Sequence, residues 1–218
     1  MFNNMIESKW YRLASKLSDM MIMGFLWTVF SLPIITIGAA TTAVFYTATK
    51  KVTGKDDEYI STAFIKSFKE NFFKSTIIFV LLIIVAAISS LNYILAPYIS
   101  LGLFHNTVRI VSAFILLQAI GIATFSFAYI ARFNVTLKEV IKNSFILANK
   151  HLLITLSNLA LFLATFYLVV LVPFLLLFMM GIYAYFASFS IVKVFRKYNP
   201  DFDEFHEMAD EDFVIDND

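Results

Sequence analysis

Three long stretches of the chain, residues 75–95, 110–131 and 152–192, contain no Asp, Glu, Lys or Arg, and the segments between them mix charged with apolar residues. A helix rises 1.5 Å per residue, so about 20 apolar residues cross the roughly 30 Å hydrocarbon core of a bilayer. The first two stretches predict one spanning helix each, and the third is long enough for two. The runs are continuously apolar rather than alternating in short segments, which predicts internally hydrogen-bonded helices and not barrel strands. The fold class is therefore all-α, a polytopic transmembrane helical bundle with four long spans.

A further apolar stretch, residues 20–46, is interrupted by Ser31-Leu32-Pro33. Proline lacks an amide donor and disfavours helical geometry in the residue before it, so a helix ends here, and Thr36 is placed as the N-cap of a new helix from Ile37. Each arm is about 15 residues, or roughly 22 Å. The pair reads as a Pro-broken hairpin, re-entrant or made of two short tilted spans, giving six membrane helices; the alternative is one kinked span and five crossings.

Ahead of each apolar pair lies a short amphipathic segment. In the first, Ile6, Trp10, Leu13 and Leu17 share a helical face; in the second the stripe is Phe64, Phe68 and Phe72; in the third it is Leu137, Ile141, Ser144 and Ala148. Ile65-Lys66 and Lys74 recur as Ile141-Lys142 and Lys150. The membrane domain, residues 1–197, thus divides into modules at about 5–49, 61–132 and 136–197, each an interfacial helix followed by a helical pair. Such helices set basic faces on anionic headgroups and apolar faces at the acyl boundary; the plainer reading packs them on the bundle as loop helices. Small residues four apart, among them Gly38 with Thr42, Ala39 with Ala43, Ala160 with Ala164 and Ala184 with Ser188, predict close helix packing within the chain.

Composition agrees with this pattern: 60% of the 218 residues are hydrophobic and 15% charged, against about 45–50% and 25% in soluble domains. The net charge of +1 hides a segregation, with nine of the sixteen acidic residues in 201–218 and all the basic residues except Arg109 grouped before residue 19, at 50–74, at 132–150 and at 193–197. Cytoplasmic loops are enriched in Lys and Arg, so the groups at 50–74, 132–150 and 193–197 and the C-terminus of this multi-pass cell-membrane protein are expected inside and the connections near Pro97 to Thr107 and near Pro173 outside; the hairpin brings the N-terminus to the cytoplasm as well, whereas a single span over 20–46 would leave it outside. Residues 1–16 lack a secretory signal's basic stretch, short apolar core and small-residue cleavage site, and are read as mature chain. The acidic tail, 198–218, is punctuated by Phe202, Phe205 and Phe213 and reads as a solvated, disordered segment; docking on a partner or on the basic inner surface is the alternative.

Candidate chemistry is sparse. Ion-coupled transporters carry ionisable groups within their spans, whereas the strong polar groups at depth here are Asn92, Gln118 and Asn158, read as hydrogen-bonding between helices. His105, His151 and His206 are too dispersed for one metal site or acid–base pair, and there is no cysteine. No P-loop, GxSxG, HExxH or GxGxxG motif occurs. No catalytic residue, cofactor, metal or nucleic-acid partner is expected; membrane lipids are, and the oligomeric state is left open.

The stretch WTVFSLPIITIGAATTAVFY over residues 27–46, with Leu32, Pro33, Thr36 and Gly38 its most specific part, and the phenylalanine-rich AFIKSFKENFFKS after it resemble the YesL family of bacterial membrane proteins, a domain of unknown function (624). The resemblance implies a multi-pass protein, often encoded beside carbohydrate-uptake ABC transporters and glycan-degrading enzymes, with no established activity. It makes an accessory or regulatory component of carbohydrate uptake the leading expectation, with an ABC-type sugar transporter subunit as partner. The alternative is a transporter or channel for a small neutral solute, in which the broken helix exposes backbone at membrane depth. A membrane enzyme acting on lipid or glycan comes third, with Asp19, Glu70 and Glu139 as its available carboxylates.

Overall fold

The computed structural model describes residues 9–54, 58–99 and 103–199, which form seven α-helices and no strand. They are α1 (Lys9–Phe30), α2 (Ile37–Thr53), α3 (Ile60–Ile99), α4 (Leu103–Ile130), α5 (Leu137–Lys150), α6 (Leu152–Leu171) and α7 (Met179–Tyr198), with 3-10 turns at Ile34–Thr36 and Pro173–Leu177. The acidic tail beyond residue 199, with His206, and Ile6 of the first amphipathic stripe lie outside the described residues.

Among the described residues four helices are long and apolar enough to cross a membrane: Leu13–Phe30, Ile60–Tyr98, Phe104–Ile130 and Leu152–Leu171. Three contain or coincide with expected spans. Leu13–Phe30 replaces α7, whose Tyr183, Tyr185, Ser188 and basic last turn dilute its hydropathy. Shielding by neighbours compensates, because α7 is buried from Met179 to Phe195 along one face.

Two amphipathic segments are not separate elements. The first is the start of α1, and Phe64, Phe68 and Phe72 stand in α3, whose 40 residues run unbroken for about 60 Å, twice the hydrocarbon thickness. Only the third is a helix of its own, α5. It is opened by a capping box in which the Glu139 amide donates to Thr136 Oγ1 at 3.4 Å and the Thr136 amide to Glu139 Oε2 at 2.7 Å. It closes at His151, whose φ of −116° and ψ of 50° are not helical.

Paired contacts fix the helix directions. Trp27 meets Thr41 and Asp19 meets Lys51, so α1 and α2 are antiparallel and the chain reverses at 31–36 instead of continuing through a kink. Tyr93 with Arg109 and Lys74 with Asn134 make α3 and α4 antiparallel. Phe162 with Tyr183 and His151 with Tyr198 do the same for α6 and α7. Thr124 with Tyr183 and Tyr129 with Phe195 set α4 and α7 parallel. Gly38 beside Ser75, with Lys50 beside Glu58 just before α3, sets α2 and α3 antiparallel as well, so the six long helices alternate in direction.

At the centre is α2, buried at every position from Gly38 to Thr49. A helix hidden all round belongs inside a bundle, and its small residues let neighbours approach. Thr47 and Thr49 satisfy themselves by bonding back one turn, Thr47 Oγ1 to Ala43 O at 2.9 Å and Thr49 Oγ1 to Phe45 O at 2.8 Å. Of the small-residue pairs, Gly38/Thr42, Ala39/Ala43 and Ala184/Ser188 are interior, whereas Ala160 and Ala164 face outward on α6.

Candidate functional site

The Leu32-Pro33-Thr36-Gly38 motif builds the hairpin tip. Leu32 and Pro33 are exposed, with Leu32 at 77%. Thr36 occupies the N-cap position of α2 but makes no capping bond to it. Its hydroxyl instead reaches back to the carbonyls of Phe30 at 2.5 Å and Pro33 at 2.6 Å, serving the free C-terminal end of α1. Gly38 brings α2 against α3: a Cβ there would lie 2.5 Å from the Ser75 carbonyl oxygen and 2.7 Å from Phe79 Cβ. One turn on, Thr42 Oγ1 and Ser75 Oγ share a buried hydrogen bond of 2.7 Å. Sequence reading singled out Gly38 and missed Ser75, whose only signal is its place at the start of an apolar run.

The phenylalanine stripe packs inward in α3. Phe64 is fully buried and Phe68 and Phe72 half-buried, and Phe30 at the tip of α1 meets Phe64 and Phe68 edge-on at 5.3 and 4.9 Å. Edge-to-face pairs of this kind add about 0.5–1.5 kcal/mol each beyond area burial.

The three polar groups at depth are not brought together. Asn92 is exposed near the end of α3. Asn158 is 3% exposed in α6, and its Nδ2 has no partner among the described residues. Gln118 of α4 donates from Nε2 to Asn149 Oδ1 of α5 at 2.9 Å, and Asn149 Nδ2 donates to Phe145 O. Asn149 went unnoticed in the sequence because it stands in a charged segment outside the apolar runs.

Gln118 and Asn149 border a groove of about 400 Å³ between α3, α4 and α5. Its walls include Ile78, Leu82, Phe114, Ile122, Ile141 and Phe145, with Ser126 near one end. The groove is continuous apolar surface broken by one internally bonded polar pair.

Alternation of the helices gathers charge at one end of the bundle. The start of α1, the end of α2, the start of α3, the ends of α4 and α7, and the whole of α5 carry every described Lys and Arg except Arg109. Lys51 with Asp19 and Lys50 with Glu58, each at 3.3 Å, tie the base of the hairpin to its neighbours, whereas Lys74, whose Nζ donates to Asn134 Oδ1 at 2.9 Å, stands nearer the hairpin tip, where the next residue, Ser75, meets Gly38 and Thr42. His151 hydrogen-bonds Tyr198 through Nε2 at 2.9 Å. Burial, reinforced by the charges of Lys197 and Lys150, lowers its pKa. Hydrogen bonds from the Thr136 amide and hydroxyl hold Glu139 below the usual carboxylate range. Among the described residues no His, Cys, Asp and Glu side chains cluster as metal ligands would.

No curated protein and no solved structure matches the chain. The family model described as "Protein of unknown function, DUF624" matches residues 20–93, from within α1 through most of α3. That segment holds both stretches that resemble YesL, and YesL proteins are DUF624 proteins, so the chain carries the DUF624 region over residues 20–93.

Proposed function

We propose that this is a multi-pass protein of the cell membrane with six membrane helices and both termini in the cytoplasm, acting as a non-enzymatic accessory or regulatory component of carbohydrate uptake. The observation that carries the reading is the one-ended distribution of basic residues over a bundle of alternating helices. Positive charge concentrates on the cytoplasmic side of membrane proteins, and a broad basic surface there suits contact with a partner subunit or an anionic leaflet. The YesL resemblance supports the carbohydrate link and an ABC-type sugar transporter subunit as that partner.

Affinity purification from native lipid, together with growth of a deletion strain on a panel of glycans, tests this. Recovery of a transporter subunit and a growth defect on at least one glycan are expected. No copurifying subunit combined with unaltered growth throughout would sink it. Transport of a small neutral solute by the isolated protein is the competing reading, and flux into proteoliposomes holding this protein alone would favour it.

A further inference from the structure

The groove between α3, α4 and α5 is a concavity walled by side chains of all three helices, and its polarity decides what fits it. Gln118 Nε2 and Asn149 Oδ1 face each other, and Asn149 Nδ2 is committed to Phe145 O, so the pair's hydrogen bonds are largely spent within the wall. Gln118 Oε1 is buried and has no partner among the described residues. Neutral polar solutes need several placed donors and acceptors; this lining offers hydrocarbon. On α4 it extends from Phe114 to Ser126, about 18 Å of helix, a slot suited to a single extended chain.

Charge lies at one mouth of the slot. The outward face of α5 carries Ile141 and Phe145, 47% and 55% exposed and lining the groove, with Lys138 and Lys142 exposed beside them at helical spacing. Asn143 bonds Tyr129 while Asn149 bonds Gln118, so α5 runs antiparallel to α4 and its first turns stand at the Ser126 end. Lys74, one turn before Ile78 on α3, is at that same end. A chain entering there passes a basic collar and then an apolar slot. We propose that the groove binds one acyl chain of an anionic membrane phospholipid, with the headgroup held by Lys138 and Lys142. Basic pockets between membrane helices recognise anionic headgroups in this way. The proposal needs the bundle to stand in a bilayer, and it does not depend on the carbohydrate link.

The test is native mass spectrometry of the full chain released from vesicles of equimolar phosphatidylglycerol and phosphatidylcholine. Wild type is expected to retain phosphatidylglycerol preferentially. A lysine near an anionic surface contributes about a fivefold preference, so Lys138→Gln and Lys142→Gln each lower the enrichment by about that factor. Ala119→Trp, which fills the slot, is expected to remove the bound lipid. Equal retention of the two lipids by wild type, or unchanged retention by a folded Ala119→Trp, overturns the proposal. Should Ala119→Trp not fold, Phe145→Trp is read by fluorescence with lipids brominated on the acyl chain. Quenching above the wild-type background that is stronger for brominated phosphatidylglycerol supports the site, and equal quenching by the two lipids rejects it. Failure here leaves the copurification and growth experiments to judge the function separately.

Discussion

Substituting Gly38 by alanine probes the seam on which the hairpin is mounted. The added methyl would sit 2.5 Å from the Ser75 carbonyl oxygen, 2.7 Å from Phe79 Cβ and 3.1 Å from the Ser75 carbonyl carbon. Two of these atoms are backbone and the third is the stem of its side chain, so no rotamer change relieves the clash and α2 must move off α3. Overpacking of this kind costs about 1–3 kcal/mol. The separation also stretches the 2.7 Å Thr42–Ser75 bond one turn away, and interhelical hydrogen bonds in membranes contribute roughly 0.6–1.7 kcal/mol. Against this, alanine improves helix propensity by up to about 1 kcal/mol. The net expectation is a destabilisation of roughly 1–3 kcal/mol, read as a lower midpoint of thermal unfolding in mild detergent. Ala160→Leu, on the outward face of α6, serves as control and should stay within about 0.5 kcal/mol of wild type. A Gly38→Ala protein as stable as that control would refute the close α2–α3 contact.

The other contacts give independent expectations. Thr36→Ala removes the link from the hydroxyl to the Phe30 carbonyl and should cost about 1 kcal/mol, with Thr36→Ser near neutral, in the same unfolding assay. Asp19 and Lys51 are each about four-fifths buried at the side chain; Asp19→Asn or Lys51→Met alone should destabilise by roughly 1–3 kcal/mol, and the double variant by less than the sum, as measured by a double-mutant cycle. Thr136→Ala opens the capping box and should cost about 1 kcal/mol. His151 has a folded-state pKa below its ordinary value of about 6.5, so the unfolded chain takes up the proton first. Stability is then fully present above about pH 6.5 and falls as pH drops toward the lower folded-state value; His151→Gln should remove that part of the pH dependence of the unfolding midpoint.

Much of the architecture is written in local chemistry. The charge-free runs 75–95 and 110–131 became α3 and α4, and the third run divides at Pro173, where a 3-10 turn separates α6 from α7. Ser31-Leu32-Pro33 ends α1 as proline's geometry requires, and the antiparallel return of α2 follows. The continuity of α3 was not legible. Lys66, Lys69, Glu70 and Lys74 break the hydropathy there, yet Ala63, Phe64, Ser67, Asn71, Ser75 and Ile78 keep one buried face at helical spacing, which only packing against α2 and α1 makes decisive. The role of Thr36 was hidden for a related reason. A threonine between two helices can serve either end, and the sequence does not record which carbonyl is left without a donor. Gln118 was visible as a polar group at depth, but its partner Asn149 lies in an amphipathic segment, and helix-to-helix pairing across α4 and α5 leaves no periodic trace.

In the proposed topology residues 20–46 turn back on themselves so that the basic ends of the helices share the cytoplasmic side. The chain has no cysteine, so single cysteines at the exposed positions Ser15, Ser61 and Asn106 report their side directly when intact cells are treated with a membrane-impermeant maleimide. Asn106→Cys is expected to label in intact cells, and Ser15→Cys and Ser61→Cys only after the membrane is permeabilised. Labelling of Ser15→Cys in intact cells while Ser61→Cys stays protected would place the two ends of the hairpin on opposite sides and contradict it.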